Sequence, residues 1–238
     1  MIETLIGFIS QESLVALWEA NSWVPEALAV ATWETIYMVF ISTFFSYVFG
    51  LPLGIVLVTT SPGHILENNK FNQILGSIVN ATRSIPFIIF LILLIPFTRM
   101  VVGTSIGTIA SIVPLTLAAI PFVARIVETS LKEIEWGLVE AALSIGASPW
   151  QVIYKVLVPE AMPSLCLGVA ITTINLVGYS AMAGIVGGGG LGTLAYYYGY
   201  QRYEDVVMWS TVIVLIILVQ GIQMLGDNLA ARIAKKRR

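Results

Sequence analysis

Five apolar stretches restrict this chain more than any other feature. They run approximately Thr35–Thr60, Ile74–Phe97, Thr104–Ala124, Ser164–Val186 and Val206–Leu225. At a helical rise of about 1.5 Å per residue, each spans a hydrocarbon core of about 30 Å. Backbone polar groups in lipid must be satisfied inside the structure, which leaves helices or a closed barrel. The alternating segments of about ten residues that build a barrel are absent. The expected fold is therefore an all-α integral membrane bundle with five transmembrane helices. A chain that is 57% hydrophobic and only 11% charged fits no soluble domain of 238 residues. Its partners are expected to include membrane lipid and no nucleic acid.

The basic residues orient the bundle. With the N-terminus outside, Lys70, Arg83, Arg125, Lys132, Lys155, Arg232, Lys235, Lys236, Arg237 and Arg238 lie on or towards the cytoplasmic side, and Arg99 and Arg202 lie outside. Ten of the 12 Lys and Arg residues then obey the positive-inside tendency. The chain divides into an outer or interfacial segment (1–33), a membrane unit (34–226) and a basic cytoplasmic tail (227–238). The first segment has no basic n-region, so no cleaved signal peptide is expected. Leu5, Phe8, Ile9, Leu14, Leu17 and Trp18 suit an interfacial amphipathic helix, and a longer, tilted first crossing is the alternative. Cys166 lies in an apolar run and reads as a packing residue. His64 stands alone in a short loop, without the company a metal site needs.

Between the third and fourth stretches lies a polar loop, from about Arg125 to Pro163, placed in the cytoplasm by this orientation. Residues from about Glu133 to Ile145 favour helix, with Leu138, Ala142 and Ile145 along one face. Gly146 follows, where a left-handed cap needs a residue without Cβ. Ser148 stands at an N-cap position, Pro149 at the first helical position and Gln151 three residues after the cap. Pro159 interrupts the second helix. The loop is two short helices joined by a sharp bend, suited to docking another protein or to lying on the membrane surface.

Several chemistries have no residues to carry them. There is no G-x-x-x-x-G-K-[ST] pattern for cradling a nucleotide. The run Gly187–Gly192 is followed by no lysine and reads as a flexible outer loop. No Ser/His/Asp set or paired carboxylates lie in the apolar stretches, so no catalytic residue is assigned and no metal ligand set is found. Asp and Glu are absent from the second to fifth stretches, so a proton relay has no carrier. If the chain moves a solute, its energy comes from elsewhere.

Glu140-Ala141-Ala142, Gly146 after three intervening residues, and Val156-Leu157-Val158-Pro159 resemble the cytoplasmic EAA loop of ABC importer permeases. Val156 and Val158 are conservative departures from that pattern. Further runs are similar to the methionine importer permease family: Arg83-Ser84-Ile85-Pro86-Phe87, Ile95-Pro96-Phe97-Thr98-Arg99, Ile112-Val113-Pro114-Leu115-Thr116, Pro121-Phe122-Val123-Ala124-Arg125, Gly178-Tyr179-Ser180-Ala181-Met182-Ala183-Gly184 and Gly199-Tyr200-Gln201-Arg202-Tyr203. The resemblance covers roughly residues 74–225 and adds nothing for residues 1–33.

This resemblance implies a type I importer permease of the bacterial inner membrane, crossing it several times and carrying no cofactor of its own. Glu140, Ala141, Ala142, Gly146 and Pro159 would form a coupling helix and its surroundings, seated on a separate ATPase that binds ATP and Mg. The implied assembly is two copies of this chain, two copies of the ATPase, and a periplasmic or lipid-anchored methionine-binding protein. The cargo would be L-methionine, with D-methionine and related thioether amino acids in the same class. Alternatives are an ABC permease for a polar amino acid, a betaine or a phosphonate, and a receptor scaffold that transports nothing.

For the path itself, the fourth stretch is the most polar, and Asn175, Tyr179, Ser180 and Met182 lie on it beside Thr172 and Thr173. The competing reading is that its hydroxyls bond back to their own helix or across a helix contact. Gly178, Ala181 and Gly184 suit close helix packing. Pro86, Pro96, Pro114 and Pro121 are expected to break or kink helices, and Pro114 and Pro121 are path candidates because such kinks often line cavities. Arg83 is the charged residue set well inside a proposed crossing, roughly 14 Å from Ile74 along a continuous helix. Either it snorkels to the interface, or it faces the path and attracts a substrate carboxylate.

Overall fold

The computed structural model describes residues 21–235. The interfacial helix expected around Leu5–Trp18 and the last three basic residues of the tail lie outside that range. Among the described residues the chain is helical throughout its ordered elements. Among those residues four helices are long and apolar enough to cross a membrane, and a bent pair of helices brings the number to five when the pair is taken as one span.

Helix α1 (Val24–Thr59) is 36 residues long, about 54 Å at the usual rise and well beyond the hydrocarbon thickness. Residues 24–33, expected to precede the first crossing, are thus its opening turns. Helix α5 (Thr108–Lys132) packs along α1 more extensively than any other pair. The close approach has a sequence cause. Gly50 and Gly54 are four residues apart on α1, and a Cβ on either would stand 2.7 Å from Val123 Cβ or 2.6 Å from the Ala124 carbonyl oxygen. Without a hydrophobic drive between helices in lipid, such small-residue contacts and interhelical hydrogen bonds hold a bundle together. Ser46 Oγ accordingly donates to the Thr116 carbonyl of α5 at 3.2 Å, beside its bond to Ser42 in α1.

The second crossing differs from the straight helix expected over Ile74–Phe97. Helix α2 (Asn69–Arg83) stops at Ser84, and α3 (Phe87–Leu93) leaves it at 98°. Pro86 has no N–H to give and disfavours a helical conformation at Ile85 before it, so the backbone turns here although hydropathy continues. Leu94 then joins α3 to α4 (Ile95–Val102), with Pro96 in its first turn. Arg83 therefore ends a helix and does not sit within one. By contrast, Pro114 and Pro121 are buried inside α5, which runs on unbroken past both.

Helices α6 (Trp136–Ser144) and α7 (Pro149–Val152, widening to a π-helical turn over Ile153–Leu157 and closing with Val158–Glu160) make the polar loop. Helix α8 (Met162–Ile185) follows, then α9 (Gly190–Leu194) with a π-helical continuation over Ala195–Gln201. Helix α10 (Asp205–Lys235) carries the first part of the basic tail as ordinary helix and buries little of its surface against the rest.

The glycine run overturns the flexible-loop expectation. Gly187, Gly189 and Gly190 adopt positive φ, which only glycine takes without strain. A Cβ on Gly188 would meet Ser111 Oγ at 2.6 Å, and one on Gly192 would meet the Ala181 backbone at 2.5 Å. The turn is also pinned from α1: Glu34 Oε2 accepts from Gly190 N–H at 2.7 Å, and Thr35 Oγ1 from Leu191 N–H at 2.9 Å. The run is a tightly packed junction.

Candidate coupling surface and transport groove

The polar loop has two faces of opposite character. Its inner face sends Val139, Val152, Ile153 and Leu157 into one apolar cluster with Val58 of α1, Val127 and Leu131 of α5, and Leu165 of α8. Its outer face leaves large apolar side chains in the open: Ile145 is 86% exposed and Trp150 74%. They flank Gly146, whose φ of 83° is the left-handed turn expected there. Ser148 accepts from Gln151 N–H while Gln151 accepts from Ser148 N–H, so the anticipated capping box is complete. Glu140 and Ala141 are exposed, and Ala142 and Pro159 are half-buried. Glu140 lies in the second turn of α6, where the helix dipole acts weakly, and its carboxylate is exposed. A cavity of about 440 Å³ opens beside Gly146, lined by Ala142, Ile145, Gln151 and Lys155 among others.

Two further ties hold this loop to the bundle. Ser164 Oγ at the foot of α8 donates to Glu133 at 2.7 Å. His64, in the α1–α2 connection, stands edge-on to the Trp136 ring at 5.4 Å and accepts from Ile65 N–H through Nδ1. Burial and the nearby Lys132 ammonium hold its pKa below the ordinary histidine value, which favours the neutral ring that this acceptor role requires.

A groove runs up one face of α8 from the loop. Its lower cavity, about 460 Å³, lies among Arg83, Phe122, Arg125, Glu133, Ser164 and Ile171. Its upper cavity, about 300 Å³, lies among Arg83, Phe87, Phe90, Phe122, Asn175 and Tyr179. Arg83 and Phe122 belong to both. The two guanidiniums of the groove differ in kind. Arg125 pairs with the buried Glu128 and also donates to the Gly76 carbonyl at 3.1 Å and Asn80 Oδ1 at 2.9 Å, tying α5 to α2. Glu128 in turn holds Lys132 at 2.7 Å. Among the described residues, Arg83 has neither ion pair nor hydrogen bond through its guanidinium, which lies 5.9 Å from the Phe122 ring centre.

Of the sequence-expected path residues, the structure brings together Arg83, Asn175 and Tyr179. It does not bring the others there. Ser180 is 1% exposed and bonds back to the Val177 carbonyl at 2.7 Å, as do Thr172 and Thr173 to carbonyls of their own helix. Met182 is exposed on α8 beyond the groove, Pro121 is packed in the core, and Pro114 borders a separate cleft of about 10 Å³. Gly184 permits close packing against Gly192 and Thr193, whereas Gly178 meets nothing. The aromatic wall of Phe87, Phe90 and Phe122 escaped the sequence reading. Its only trace there is a Phe pair three residues apart just after Pro86.

Comparison with known proteins places these features in a family. The model of the binding-protein-dependent transport system inner membrane component matches residues 50–238. A probable D-methionine transport system permease protein MetI from Vibrio cholerae is 52% identical over 219 residues, covering 92% of this chain and 96% of that protein. The D-methionine transport system permease protein MetI of Escherichia coli K12 is 55% identical over 157 residues, 66% of this chain and 72% of that protein. A crystal structure of the MetNI methionine ABC transporter in inward-facing conformations superposes with a TM-score of 0.86 at 50% identity, covering 90% of this chain and 98% of that one. The expected resemblance is thus borne out, and with it the reading as a permease subunit and not an enzyme. The chain belongs to the family of binding-protein-dependent transport system inner membrane components, as a multi-pass inner-membrane permease of the ABC importer type.

Proposed function

We propose that this chain forms, with a second copy of itself, the membrane pathway of an ATP-driven methionine importer. A separate ATPase seats on the α6–α7 hairpin, and a methionine-binding protein delivers cargo at the opposite end. The observation that carries the coupling role is the two-faced hairpin. Its inner face is locked into the bundle core, while Ile145 and Trp150 stand bare around a left-handed glycine. A surface of that kind is finished by a partner, and a rigid hairpin passes on rigid-body motion. The cargo class is supported by the methionine permeases that match most of this chain. ATP and Mg belong to the ATPase in this reading. ATP drives the change by binding one arrangement of the complex more tightly than the other. L- and D-methionine both fall within the proposed cargo.

The test is uptake of labelled methionine into proteoliposomes holding the permease, its ATPase and the binding protein. Uptake that requires ATP and all three components is expected. Uptake of a betaine, phosphonate or polar amino acid in its place would move the assignment to another solute. An intact complex that moves none of them would support the scaffold reading.

The orientation has its own test. The end of the bundle bearing the hairpin also bears Lys70, Lys132 and Lys155, and the positive-inside tendency puts it in the cytoplasm. In a Cys166→Ser background, Lys70→Cys should react with an impermeant thiol reagent only in inside-out vesicles, and Gln201→Cys only from outside. Labelling of both from one side would overturn the five-crossing arrangement.

A further inference from the structure

The upper cavity combines three chemistries that no single helix supplies. Arg83 brings a planar cation without a fixed partner from the end of α2, and Asn175 an amide from α8. Phe87, Phe90, Phe122 and Tyr179 line the rest of the space between them. Tyr179 stacks on Phe87 with ring centres 4.5 Å apart and planes 2° from parallel, which fixes that part of the wall across the α3–α8 contact. A guanidinium presents a fork of donors matched to a carboxylate. Aromatic rings favour a polarizable sulfur at their edges and a cation over their faces. Among the described residues no carboxylate lines the cavity, so a substrate carboxylate meets no repulsion from them there. An ammonium group finds the Asn175 carbonyl and the ring faces. The volume, about 300 Å³, lies at the small end of ligand sites.

Resting on the import reading above, we propose that this cavity is a transient selectivity site for an apolar thioether amino acid. Arg83 takes the carboxylate, and Phe90, Phe122 and the Phe87–Tyr179 stack take the side chain. The permease would then sort its cargo within the membrane after the binding protein has released it. The larger cavity below shares Arg83 and Phe122 but lacks Asn175 and the Phe87–Tyr179 stack. It carries the Glu133 carboxylate and has its Arg125 already engaged by Glu128, Gly76 and Asn80, so it would be a corridor with a weaker grip.

The experiment measures equilibrium binding of labelled methionine to the permease–ATPase complex in nanodiscs, without the binding protein, alongside complete proteoliposome uptake. The wild-type complex should bind methionine saturably and more tightly than norleucine, its isostere with a methylene in place of sulfur. Loss of the charged contact in Arg83→Gln should weaken binding roughly ten- to a hundred-fold, with Arg83→Lys between it and wild type. Phe122→Leu should weaken methionine binding about two- to five-fold and norleucine less, narrowing the preference. Assembly is checked by co-elution with the ATPase, and if Arg83→Gln fails to assemble, Arg83→Lys and Phe122→Leu carry the test. Wild-type uptake of methionine without saturable binding would overturn the site and leave the import reading standing. So would unchanged affinity in Arg83→Gln, or an unchanged preference in Phe122→Leu. A complete wild-type complex that imports no methionine would defeat both.

Discussion

Gly146→Val is expected to abolish coupled uptake. Nothing lies within 4 Å of where its Cβ would go, so the obstacle is not space. It is the backbone: a β-branched residue held at a φ of 83° is strained by roughly 1–3 kcal/mol. The hairpin can relieve that strain only by reopening the bend between α6 and α7. Reopening separates Ile145 from Trp150 and disturbs the Ser148–Gln151 capping box directly after it. A loss of roughly ten-fold or more in methionine uptake should follow, either with ATP hydrolysis persisting uncoupled or with the ATPase no longer held. Gly146→Asn is the informative control, because asparagine tolerates the left-handed region. It should keep most activity. Equal loss in both variants would point to a need for bare backbone at the partner surface, and wild-type uptake in the valine variant would remove Gly146 from coupling.

Gly192→Val should have the larger effect on the protein itself. A Cβ at Gly192 would stand 2.5 Å from Ala181 Cα and from its carbonyl oxygen, and one at Gly184 would stand 2.4 Å from Thr193 N. These are backbone atoms of two elements that face each other across the α8–α9 turn, and neither can rotate away. Overpacking at such a contact costs about 3 kcal/mol or more. The expected result is little folded protein, or a melting temperature in detergent lowered by roughly 10 °C. Gly221→Ala on α10, where nothing lies within 4 Å, should leave that temperature unchanged or raise it. A Gly192→Val protein as stable as wild type would mean that the junction is looser than its contacts require.

Some of this architecture was legible in the sequence because its causes are local. A left-handed glycine, an N-cap serine, a proline in the first helical turn and a glutamine three residues on act through their immediate neighbours, and the hairpin follows them. Apolar length likewise placed four crossings directly. The bend at Ser84–Pro86 is hidden because hydropathy continues through it, although Pro86 itself reads as a helix breaker. The glycine run was misread because its partners, Glu34 and Thr35, are 156 residues away. In the groove, Tyr179 and Ser180 are adjacent in sequence but point in different directions. Only the helix packing decides that one lines the cavity and the other closes a bond within its own helix. The cavity is assembled from α2, α3, α5 and α8, so no single segment could announce it.

The Arg125 clasp gives the molecule a mechanical gearing. Helix α5 leads at Lys132 into the hairpin on which the ATPase is proposed to seat. About two turns earlier, Arg125 grips Gly76 and Asn80, which lie on α2 ahead of its terminal Arg83. The hairpin and Arg83 in the groove are therefore attached to one lever, with the α2–α3 elbow as the free joint beyond it. A push delivered at Gly146 would reach Arg83 through covalent chain and one clasp, without any signal having to cross soft packing. A grip on cargo and a stroke of the motor would then be a single displacement seen at two ends.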